Sequence, residues 1–253
     1  MTTTTARATR GHADGGAAGA AGAPARARWT WLGVGAGVLG IVATMFTSPN
    51  VGSDRVGPEA LAGLSRGQLQ LGGALGYATV ALLLVLAASW RVKALATTRG
   101  AVAARVVADG LTASAAALSL GYGWKLALAL YLPGGINENG FTTDGQFFYF
   151  MLNDFGPFIG YLGVVVAAGA VAWLSLRDRL VSRWLGLVSL IPPVAVLFMS
   201  GVLSIAGFPG IVGPIWLIVA FAGLSLGSHE LLGTAKSQPD SRRVSGSGSL
   251  GRR

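Results

Sequence analysis

The chain has 253 residues, 52% of them hydrophobic and only 11% charged, with a formal net charge of +9. Soluble domains carry about 25% charged residues, so this composition argues against a large water-facing helical domain and for a membrane protein. The absence of Cys excludes disulfides and thiolate metal sites.

Residues 1–28 hold no large apolar side chain after Met1 and cannot bury a core, so they are expected to form a disordered basic tail. The first apolar run, 29–46, leads into ATMFTSPN without an A-x-A cleavage pattern and is expected to remain as an uncleaved span. Further apolar runs cover 69–90, 106–132, 155–176, 184–207 and 211–232. Each is near or above the roughly 20 residues that cross about 30 Å of hydrocarbon. The expectation is an all-α membrane fold, a bundle of six transmembrane helices over 29–232, followed by a disordered tail over 233–253.

Sixteen of the nineteen Lys and Arg fall in the two tails, the second loop (Arg91, Lys93, Arg99, Arg105) and the fourth loop (Arg177, Arg179, Arg183). The alternate loops hold only Arg55 and Arg66 as basic residues, against the acidic Asp54, Glu59, Glu138, Asp144 and Asp154. By the positive-inside rule both termini are expected in the cytoplasm, which six spans satisfy and five or seven do not. The basic balance therefore reads as topology and attraction to anionic lipid, not as nucleic-acid binding.

Gly35-Ala36-Gly37-Val38-Leu39-Gly40 matches G-x-G-x-x-G, but it lies inside an apolar span where a dinucleotide fingerprint requires a strand-to-helix turn. The pairs Gly33/Gly37, Gly72/Gly76 and Gly156/Gly160 instead fit close helix contacts. Pro192-Pro193 predicts a kink in the fifth span. His12 and His229 stand far apart, and no hydrolase, zincin or P-loop pattern occurs, so no catalytic residue, metal site or cofactor is expected. Arg105 and Asp109 have the spacing of a pair on one helix face at the cytoplasmic interface.

Lys125 is a charge placed well inside an apolar span, on a stripe with Ser114, Leu118, Gly121 and Tyr122 that suits a bundle interior. A buried ammonium costs several kcal/mol unless paired. Asp154 is the nearest candidate partner, with Asn153 or Asp154 expected to cap the fourth helix and Pro157 in its first turn. Snorkelling to the outer headgroups is the alternative. Lys125, Tyr122, Asp154, Glu138 and Asp144 thus form the candidate polar site, beneath a loop anchored by the aromatic run Phe147 to Phe150.

Arg outnumbers Lys 16 to 3, a bias expected of a GC-rich bacterial genome. The phrases YLPGG, NDFGPFIGY, AVAWLSLRDR and SRWLGLVSL resemble small, uncharacterised six-span integral membrane proteins of actinobacteria. The resemblance covers roughly Trp29 to Leu232 and implies no activity and no site residue. The expected role is a non-catalytic accessory or structural subunit of the bacterial plasma membrane, embedded in the lipid bilayer. Its partners would be other membrane subunits or copies of itself, met through the small-residue faces. The alternative is a small-solute or ion transporter with an outward-facing pocket near Lys125.

Overall fold

A computed structural model describes residues 28–48, 56–97, 102–138 and 140–226. Residues 1–27 of the first expected tail, all of the second, both histidines, Asp54, Arg55 and Arg99 lie outside the described residues. A 3-10 turn, Arg28–Thr30, leads into α1 (Trp31–Ile41), which passes directly into a π-helical segment, Val42–Phe46. A second 3-10 turn, Pro58–Gly63, precedes α2 (Arg66–Thr97) and α3 (Val102–Tyr131). Then follow α4 (Thr143–Ile159), α5 (Leu162–Leu176), α6 (Arg183–Val202) and α7 (Pro209–Leu226).

Among the described residues six stretches are long and apolar enough to cross a membrane. They are Arg28–Phe46, Arg66–Ala94, Val102–Tyr131, Thr143–Leu176, Arg183–Val202 and Pro209–Leu226. All are helical for a physical reason: in hydrocarbon every backbone N–H and C=O must be satisfied within its own segment.

The fourth span departs most from expectation. It begins at 143, not 155, because Thr142 caps α4 by accepting a bond from the Gly145 amide at 3.4 Å. Asp144 lies in the first turn, where the helix dipole favours a carboxylate. Neither Asn153 nor Asp154 is a cap; both lie within α4, and the aromatic run belongs to the helix and not to a surface loop. The fourth span is then interrupted at Gly160-Tyr161 before α5 resumes. The fifth stops at Val202, short of the expected 207, and α6 runs helical through Pro192-Pro193.

Helix lengths divide the molecule into two storeys. At about 1.5 Å per residue, the 20 residues of α6 and 18 of α7 just match a hydrocarbon thickness of about 30 Å. With 32 and 30 residues, α2 and α3 reach about 48 and 45 Å. The α6–α7 turn meets the chain at Phe158, which packs against Gly207 and Gly210. The surplus of α2 and α3, with most of α4, therefore projects past that turn as a cap.

Each storey has its own core. The larger one unites α1, α2, α3, α5, α6 and α7 through residues such as Ala36, Leu86, Leu111, Val164, Leu185 and Phe221. At its basic end Trp29, Trp90 and Phe221 meet edge to face, with centroids 6.1 to 6.5 Å apart. The smaller core, Leu61, Leu69, Leu128, Ala129, Leu132 and Phe150, lies in the cap.

The glycine pairs are all used inside the chain. Gly33 and Gly37 face Phe221 and the Pro214–Ile218 turn of α7, and Gly72 and Gly76 face Thr47 and the Tyr122 ring. Gly156 and Gly160 face α3 at Gly121, Trp124 and Leu118. The G-x-G-x-x-G segment is part of this packing, with Gly40 against the Tyr161 hydroxyl.

Candidate functional site

Where the two cores meet, the buried surface turns polar. Lys125 is 0% exposed, and its Nζ donates to the Ala43 carbonyl at 2.8 Å and to Thr47 Oγ1 at 3.1 Å. Thr47 Oγ1 donates in turn to the same carbonyl at 2.6 Å. Ala43 belongs to the π-helical segment, whose wider turns loosen the α-helical ladder and give its carbonyl room for two side-chain donors. Space for the lysine stem comes from Gly72, where a Cβ would stand 3.1 Å from Lys125 Cδ and collide with Thr47.

One turn deeper a second set of hydroxyls continues the layer. Thr44 Oγ1 and Tyr122 Oη share a hydrogen bond at 2.8 Å, and Tyr122 Oη lies 3.3 Å from Tyr161 Oη. All three residues are 0% exposed. Tyr161 occupies the interruption between α4 and α5, so the break in the fourth span supplies one end of the network.

Asn153 stands at a similar depth on α4, as the register of that helix against α3 shows. The antiparallel α3–α4 contact is set by Gly121 against the Gly156–Pro157 backbone. One turn from that contact, toward the cap, lies Lys125 on α3 and Asn153 on α4. Asn153 is 1% exposed, and neither its Oδ1 nor its Nδ2 has a hydrogen-bond partner among the described residues. Its main-chain carbonyl also lacks its usual helical donor, since Pro157 has no N–H.

The expected pairings are corrected by this geometry. Asp154 is exposed on α4, and the face of that helix turned inward carries Phe150, Asn153 and Pro157. Consecutive helical residues diverge by about 100°, so Asn153 and Asp154 cannot both face the bundle. Lys125 is tied to the first span instead and does not snorkel. Glu138 accepts from the Gly134 amide at 2.5 Å, and Asp144 is exposed at the start of α4. Both belong to the cap, as does Arg66, which donates to the Gly134 carbonyl.

Asp109 pairs across helices with Arg91 at 3.1 Å rather than with Arg105. Arg91 also reaches Thr112 at 3.1 Å, and a base placed four residues before an acid is the weaker orientation on a helix.

Thr44, Thr47, Tyr161 and Asn153 are the residues that the sequence reading left out. Asn153 carried a usable signal, a polar residue four before a proline, but the expected helix start two positions away hid it. The chain matches no protein-family model, no curated protein and no solved structure.

Proposed function

We propose that this is a multi-pass plasma-membrane transporter of a small polar solute, with both termini cytoplasmic, held here in an occluded state. The observation that carries the reading is the Lys125–Asn153 layer, closed beneath the cap. Among the described residues, a lysine with no carboxylate partner and an asparagine with two orphan polar atoms are costly in a purely structural role. An apolar pair would hold the same space more cheaply, and intramembrane ionisable residues mark pathways by default. Irregular helices beside the layer, the π segment and the Gly160-Tyr161 break, are the kind from which transporters build their sites. The accessory-subunit reading relied on small-residue faces for association, and the glycine pairs on which it rested are engaged within the chain.

Because the protein has no Cys, access to the layer can be read with single cysteines. In right-side-out vesicles, Asn153→Cys and Thr47→Cys should react slowly with a membrane-impermeant thiol reagent, whereas Phe148→Cys, 55% exposed, should react at once. Asn153→Leu should raise the melting temperature, by about 1 kcal/mol in stability, while abolishing transport. Complete protection of both layer cysteines would sink the transport reading.

A further inference from the structure

At the opposite, basic end of the bundle the surface of α5 is cut by two furrows. One, of about 590 Å³, runs between α5 and α6 and is lined by Gly169, Ala172, Leu176, Leu190 and the arginines Arg177 and Arg179. The other, of about 360 Å³, lies between α5 and α3 against Val102, Ala103 and Val106. Gly169 and Trp173 line both, so the Trp173 ring forms the ridge between them. Both volumes are within the range of ligand sites.

We propose that these furrows bind one anionic phospholipid, its two acyl chains straddling Trp173 and its phosphate on Arg177 and Arg179. Three features carry the assignment. The furrow walls are aliphatic on both sides of the ridge, as paired acyl chains require. The arginines follow directly on the end of α5, at headgroup depth, where basic pockets between helices recognise anionic lipid. Arg179 is also held at φ 56°, a left-handed conformation unusual for a residue with a Cβ. That turn brings Arg179 to the same furrow as Arg177, whose guanidinium lies 5.3 Å from the Trp173 ring centroid. Asp178 offsets one positive charge of the turn, and Arg183 at the start of α6 restores it.

The occupant is a phospholipid and not a free anion, because most of the lining is apolar and a bare phosphate would leave both furrows empty. Native mass spectrometry of the detergent-purified full chain tests this, with phosphatidylglycerol and phosphatidylcholine of identical chains as probes. Wild type should retain one phosphatidylglycerol in preference to phosphatidylcholine. Arg177→Gln with Arg179→Asn, chosen because Asn tolerates the left-handed backbone, should cut that preference roughly tenfold. Gly169→Leu should fill the furrow and reduce retention of both lipids. A Cβ at Gly169 meets Pro193 only at ordinary contact distances of 3.8 and 3.9 Å, so the variant should fold. Equal retention of the two lipids, or a preference indifferent to the arginines, would overturn the assignment. So would binding of inorganic phosphate as strong as that of the lipid, or lipid binding that appears only after residues 233–253 are removed.

Discussion

The bundle and the cap solve the same packing problem with different materials. In the bundle, backbones approach until only glycine fits: a Cβ at Gly121 would stand 2.6 Å from the Gly156 carbonyl carbon. In the cap, aromatic rings fill the space, with Tyr131, Phe141 and Tyr149 in mutual contact at 4.6 to 5.8 Å between centroids. Side chains there bond to loop backbone, as Arg66 and Glu138 both do at Gly134. Lipid offers helices no hydrophobic reason to associate, so close van der Waals contact must hold a bundle together. In the cap, burial of large rings adds its own stabilisation. The difference teaches that the junction is where polar groups can be sealed in, with tight packing below and a cap above.

The sharpest break in this comparison should come from glycine. Gly121→Leu drives a side chain into the α4 backbone and should cost about 3 kcal/mol or prevent folding altogether. Gly67→Ala, in the cap end of α2 with nothing within 4 Å of its added Cβ, should be neutral or stabilise by up to about 1 kcal/mol. Detergent melts of the two variants measure the contrast; similar losses would mean that the storeys do not differ.

Lys125 gives an intermediate effect and identifies its own partner. Thr47→Val removes one of its two acceptors and should destabilise by about 1 to 3 kcal/mol. Lys125→Met exchanges the buried amine for an apolar side chain of similar length and should be nearly neutral or stabilising. The double variant should recover most of the Thr47→Val loss, giving a coupling above about 0.5 kcal/mol. Asp154→Asn should change stability by less than about 0.5 kcal/mol and show no coupling to Lys125. A large Lys125–Asp154 coupling in the same melts would reinstate the carboxylate pair and refute the network described above.

The smallest effect belongs to the basic end of the bundle. Arg91 and Asp109 are 44% and 71% exposed, so breaking their pair by Asp109→Asn should cost no more than about 1 kcal/mol, and less in high salt. A loss independent of salt would show that the pair is shielded from solvent.

Much of this architecture is legible from residue order alone. Long apolar runs announce spans because an unsatisfied backbone in hydrocarbon is so costly that a helix is the only solution for a single segment. Lys125 stands out for the same reason, as a charge that has to be accounted for. Its partner was not legible, because the main acceptor is the Ala43 carbonyl, a group that every residue carries, made available by a π segment with no sequence mark of its own. The start of α4 was hidden too: the segment from Thr143 to Asp154 mixes aromatic, polar and acidic residues, and hydropathy alone reads such a mixture as loop. Tertiary contact with α3 and the cap turns it into a helix that presents Asn153 inward and Asp154 outward, a difference of one residue and about 100°. Composition thus determined that the described residues form six apolar helical spans. Which polar groups those helices trap was decided only by their register, because register sets which faces meet and hydropathy carries no record of it.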